Sequence, residues 1–156
     1  DGVNWSPWEH LYSNDLKYIT LPPIQGEHDI FVRYRNEFGD ITTVTQENDI
    51  IRYVLDDEKP NLNFETQNGT YIVKESFALL TLTANDNLSP IVKIELENTE
   101  LKMIVNNVTT KTIDVGNKLK NPVVIQGLQN GFNVISFKVT DKAGNSNLKT
   151  IRLFKK

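Results

Sequence analysis

The chain has no cysteine, which removes thiolate metal ligands, cysteine nucleophiles and disulfide staples together. Whatever holds the fold must be packed side chains and backbone ladders. Long apolar runs are missing as well: the longest largely apolar stretch, residues 77–82, falls far short of the roughly 20 residues that a membrane-spanning helix needs. No charged-then-apolar leader precedes it, and no membrane span is expected. There is no basic excess either. Lysine and arginine number 17 against 20 aspartates and glutamates, a formal net charge of −3. The basic residues are scattered singly apart from the terminal pair Lys155 and Lys156. A groove for phosphates needs clustered cations, so nucleic acid is not an expected partner.

Catalytic equipment is equally sparse. The two histidines, His10 and His28, lie in different segments, without a Gly-x-Ser-x-Gly elbow, a His-x-x-x-His pair or a glycine-rich phosphate loop. Both read best as structural histidines. Carboxylates are plentiful, but acid chemistry of the glycosidase kind requires one of a pair to be shielded in a cleft. Small sandwiches with wet strand faces rarely provide that shelter. The expectation is a protein that is not an enzyme, with no catalytic residue and no cofactor.

What the chain does contain is a globular composition, 38% hydrophobic and 24% charged, and apolar residues that alternate with polar ones. Helical spacing is absent beyond single turns, so the predicted class is all-β. In the second half the alternation predicts strands over 77–84, 91–97, 101–105, 111–115, 123–125, 132–140 and 148–154, divided by Asn, Asp, Gly and Pro clusters. That number and spacing suit a β-sandwich. The first half offers 3–11, 17–21, 29–35, 41–44 and 50–55, few for a sandwich of its own. Between the halves, Asp56-Asp57-Glu58-Lys59-Pro60 is a charged stretch ended by a residue that cannot continue a helix. The boundary is therefore expected between modules 1–57 and 58–156.

An internal repeat links the halves. Gly26, Ile30, Val32, Tyr34, Asn36, Gly39 and Asp40 fall, at one constant shift, on Gly131, Ile135, Phe137, Val139, Asp141, Gly144 and Asn145. The pattern is a turn glycine, an alternating strand, then a tight loop in which Asn or Asp bonds its own backbone and Gly takes positive φ. A two-stranded unit cannot bury its own face, so each copy implies a larger structure around it.

The segment Val139-Thr140-Asp141-Lys142-Ala143-Gly144-Asn145 resembles the "V-x-D-x-A-G-N" signature before the last strand of bacterial immunoglobulin-like domains. Thr83-Ala84-Asn85-Asp86-Asn87-Leu88-Ser89 is similar to their "T-A-x-D-N-x-S" bend, and Leu55-Asp56-Asp57-Glu58-Lys59-Pro60 to their "D-x-x-x-P" linker. In the first half, Asp1-Gly2-Val3-Asn4-Trp5-Ser6-Pro7-Trp8 resembles the central hairpin of fibronectin-type modules. Leu21-Pro22-Pro23-Ile24-Gln25-Gly26 is similar, with an insertion and without the tyrosine, to the "L-P-P-G-x-Y" of a β-module in bacterial sensor ectodomains. These resemblances imply two immunoglobulin-like β-sandwich modules in tandem, the first lacking its first strands, in an extracellular, secreted or cell-surface bacterial protein. Adjacent domains of the same polypeptide, or a partner chain donating strands, would complete the first module.

Two constellations bear on binding. Asp56, Asp57, Asp86 and Asp141 sit near predicted strand ends and the linker, and Asn85-Asp86-Asn87-Leu88-Ser89-Pro90 looks superficially like a cadherin calcium linker. Turn formation accounts for these residues, so no metal site is assigned. Trp5 and Trp8 would face opposite ways on a regular strand, one filling a core and the other exposed. An exposed Trp8 beside His10 and Tyr12 is the candidate ligand-binding group, able to stack on a sugar ring or anchor a neighbouring protein. The expected function is a non-catalytic spacer with a protein-interaction or adhesion surface. The alternatives are a module for carbohydrate or a host ligand, and a phage tail or appendage decoration domain.

Overall fold

A computed structural model describes residues 5–10, 18–41, 50–116 and 120–156. The protein is all-β: among the described residues there are twelve strands and no helix, and hence no helix long and apolar enough to cross a membrane. The chain divides into two compact units, Asp1–Leu55 and Asp56–Lys156.

Among the described residues of the first unit, alternation yields one pair of strands, β1 (Gly26–Phe31) and β2 (Ile50–Leu55). They run antiparallel, with Gly26 opposite Leu55 and Phe31 opposite Ile50. Across the ladder Arg52 donates to Asp29 at 2.8 Å, and His28 stacks on Tyr53 with ring centroids 4.9 Å apart. The strand predicted over 29–35 ends at Phe31, and a single bridge pairs Arg35 with Ile41. Where the strands 3–11 and 17–21 were predicted, residues 5–10 and 18–21 are not extended into a sheet. Pro7, Pro22 and Pro23 lack the N–H that a ladder requires. From residue 42 on, the predicted strand 41–44 lies outside the described residues. None of the described residues of this unit is buried.

The second unit is a sandwich of two five-stranded sheets. Its strands are β3 (Asn61–Thr66), β4 (Ile72–Val73), β5 (Phe77–Asn85), β6 (Ile91–Leu96), β7 (Lys102–Val105), β8 (Val108–Thr110), β9 (Thr112–Asp114), β10 (Lys120–Gln126), β11 (Gly131–Asp141) and β12 (Ser146–Lys155). One sheet has the order β3-β5-β10-β7-β8, the other β4-β12-β11-β6-β9. Every pairing is antiparallel except β4 with β12. Period-two alternation makes each sheet two-faced. On β5, Ala78, Leu80, Leu82 and Ala84 point inward, and on β11 Ile135, Phe137 and Val139 do the same. They meet Met103, Ile125, Ile94 and Leu153, all fully buried. Phe64 packs on Phe137 with centroids 5.6 Å apart. Each large apolar side chain buried this way is worth about 1.5–3 kcal/mol, which is how a thiol-free unit holds together.

The seven strands predicted in this half are all present, with shifted ends. Three more were not foreseen: β3, β4 and β8. β4 has two residues and β8 three, too short to show a period.

The repeat noted in the sequence is a repeated turn. In the second unit the Asp141 N–H donates to the Asn145 carbonyl at 3.1 Å, and the Asn145 N–H donates to Asp141 Oδ1 at 2.9 Å. In the first unit Asn36 N–H donates to the Asp40 carbonyl at 3.1 Å, and Asp40 N–H to Asn36 Oδ1 at 2.9 Å. Gly39 and Gly144 close the two turns at φ 91° and 96°, where glycine alone is unstrained. Arg35 opposite Ile41 reproduces the pairing of Thr140 with Ser146.

Candidate functional site

Three segments converge at the end of the sandwich where the chain enters it. Asp56 opens the second unit, Asp86 follows the last residue of β5, and Asp141 is the last residue of β11. Each contributes a carboxylate oxygen, and these atoms lie within 4.8 Å of one another.

Local chemistry places each of them. Asp56 Oδ1 accepts the Glu58 N–H at 3.1 Å. Asp86 Oδ1 accepts the N–H groups of Leu88 and Ser89 at 2.9 and 3.0 Å. Asp141 Oδ1 accepts from Asn145, as described. Aspartate is favoured at such bends because its short side chain satisfies backbone donors that the turn leaves open. The Asn145 side chain then donates to the Asp56 carbonyl, and Asn147 donates to the Pro60 carbonyl, both at 3.0 Å. These two bonds fasten the incoming segment to the start of β12.

With the Oδ1 atoms occupied, the Oδ2 atoms of Asp56 and Asp141 are buried and without a hydrogen-bond partner. Asp141 is 1% exposed and Asp56 9%. Two ionised carboxylates this close repel by at least about 3 kcal/mol at an effective dielectric constant near 20. The arrangement is therefore costly as it stands, and among the described residues these three are grouped so that they could hold a cation.

The aromatic candidates are placed differently. Trp5 and Trp8 are both exposed, at 39% and 43%, so neither fills a core. The Arg33 guanidinium lies over the Trp5 ring at 3.3 Å from its centroid, and that of Arg35 lies 4.7 Å from the Trp8 centroid. Cations thus cover part of the aromatic surface that a sugar would need. His10 is exposed. Tyr12 lies outside the described residues.

In the sequence Asp56, Asp86 and Asp141 are weighed as calcium ligands and read as turn formers, with no metal site assigned. Their separation along the chain hid the convergence. A signal existed in the expected topology, since a sandwich gathers alternate loops at each end.

No family model matches the chain, and no curated protein matches it.

Proposed function

We propose that the second unit is an immunoglobulin-like module serving as a non-catalytic, load-bearing spacer in an extracellular modular protein. The observation that carries this reading is that the chain enters the sandwich at one end and β12 spans from there to the other. It enters beside the Asp141–Asn145 turn, at the start of β12, and that ten-residue strand runs to Lys155. At about 3.4 Å per residue, β12 separates the two points by roughly 30 Å.

The strand order supports the immunoglobulin-like assignment. β10 lies between β5 and β7 in one sheet, and β11 between β12 and β6 in the other. The opening segment is split between the sheets, β3 in the first and β4 in the second, as in Greek-key sandwiches. Tension applied at the two ends would shear the parallel β4–β12 contact, where Phe154 N–H donates to the Tyr71 carbonyl at 2.8 Å and Lys156 N–H to that of Val73 at 3.1 Å. Those bonds must break together, whereas an unzipping ladder breaks one at a time.

The non-catalytic part of the reading rests on chemistry. The groove lined by Thr66, Thr70, Ile72, Phe77 and Leu79 has Lys74 and Glu75 as its only titratable groups, which supply no pair of catalytic carboxylates and no nucleophile with a base.

Force spectroscopy on the full chain tests the spacer. The absence of native cysteine lets engineered cysteines serve as unique handles. Pulled through its ends, the second unit is expected to unfold in one event, releasing about 300 Å of contour for roughly 100 residues. Pulled through Asn87→Cys and Lys142→Cys, both at one end of the sandwich, it should yield at a clearly lower force. Equal forces in the two geometries would count against the reading.

A further inference from the structure

We infer that Asp56, Asp86 and Asp141 form a Ca²⁺ site that ties the first residue of the second unit to the end of its sandwich. Acidic residues often gather without binding anything. Here the second observation is the pair of orphaned atoms: Asp141, almost completely buried, and Asp56 each carry a buried, unpartnered Oδ2, and both belong to a cluster whose ligand atoms lie within 4.8 Å of one another. A buried carboxylate oxygen normally has a donor. The ion pairs of the second unit, Lys93 with Glu95 and Lys120 with Glu65, lie elsewhere among the described residues. A bound cation is the group that satisfies all three carboxylates at once.

The repeated turn supplies an internal control. At the position equivalent to Asp141, the first unit has Asn36. Its Oδ1 accepts the same kind of backbone N–H, but its Nδ2 donates to Asp40 Oδ2 at 2.9 Å, so the side chain is satisfied within its own turn. Asparagine is therefore sufficient to build the turn. Aspartate at 141 adds a charge that the turn does not need and leaves a buried oxygen without a partner in a group of three carboxylates.

The donor set selects the ion. All ligands are carboxylate oxygens, with neither histidine nor cysteine in the cluster, which favours a hard divalent cation over zinc or copper. Ca²⁺ accepts irregular sets of about six to eight oxygens, whereas Mg²⁺ demands near-ideal octahedral geometry and gives up its waters reluctantly. Three carboxylates set by separate turns, with water completing the shell, suit the larger ion. Because Asp56 is the first residue of the second unit, the ion also fastens the entering segment of that unit to its sandwich. The site stands independently of the spacer reading: a failed force experiment would leave it untouched.

The test is calorimetric titration of CaCl₂ into the chelator-treated full chain, with MgCl₂ in parallel, and thermal unfolding in millimolar CaCl₂ or in EDTA. One Ca²⁺ site per chain is expected, with weaker Mg²⁺ binding, and saturating Ca²⁺ should raise the melting temperature by about 5 °C or more. The variants Asp141→Asn and Asp86→Asn retain the oxygen that caps each turn and remove a charge. Each should lose the binding heat and melt below the parent in Ca²⁺, yet melt at or above it in EDTA, where like-charge repulsion has been relieved. No heat and no Ca²⁺-dependent melting shift in the parent chain would overturn the proposal. So would an equal loss of stability by both variants in the two buffers.

Discussion

The two copies of the repeated segment share a strand pattern and a turn but have different fates. Ile135, Phe137 and Val139 are completely buried, whereas the matching Ile30 and Val32 are half-buried and Tyr34 is 55% exposed. The difference lies in their partners. β11 is paired on both edges, by β12 and β6, and faces a second sheet, while among the described residues β1 is paired by β2 alone. Alternation determines which side chains share a face, but burial requires another layer to cover that face. The turn depends on neither, because its bonds close within five residues, and so it forms alike in both units.

The largest expected contrast comes from the equivalent isoleucines. Ile135→Ala should cost the second unit about 2–5 kcal/mol, lowering its melting temperature by roughly 10 °C or more. Ile30→Ala should leave that transition unmoved. Calorimetry or circular dichroism is the proper readout, since both tryptophans lie in the first unit. A similar effect of the two substitutions would break the contrast.

The turn glycines sharpen it. An alanine Cβ at Gly144 or Gly39 would meet nothing within 4 Å, so the cost is backbone strain at positive φ, about 1 kcal/mol. In Gly144→Ala that cost should appear in the cooperative melting of the second unit. In Gly39→Ala it should appear only as loss of the Asn36–Asp40 turn signals in NMR spectra.

The smallest effect concerns the exposed pair in the first unit. The Arg52 hydrogen bond holds the Asp29 carboxyl below the usual aspartate range. Its contribution is therefore present above the unfolded-state value, near 3.9, and disappears as pH falls through the lower folded value. Arg52→Ala should return the Asp29 titration, followed by NMR, to the ordinary value without altering the melting of the second unit.

Much of the sandwich was legible because its long strands carry the period that burial imposes. Phe77–Asn85 and Gly131–Asp141 show it over nine and eleven residues. β4 was illegible: it is defined by parallel pairing with β12, a long-range contact that two residues cannot announce. In the first unit the pattern around Trp5 and Trp8 resembled strand alternation, but prolines interrupt the ladder and no described residue there is buried. The carboxylate cluster was half legible. Each aspartate could be read as a turn former, and the backbone hydrogen bonds that each Oδ1 accepts fit that role. What the chain order concealed was that Asp56, Asp86 and Asp141 share one end of one sandwich.

The contrast between the units is tested most directly by native-state hydrogen exchange on the full chain, resolved residue by residue. Amides in the ladders of β5, β10, β11 and β12 should exchange only with global unfolding of the second unit, while those of Gly26–Phe31 and Ile50–Leu55 exchange orders of magnitude faster, by local opening. Equal protection in β1 and β11 would contradict the account, because it would mean that the first unit has a core of its own.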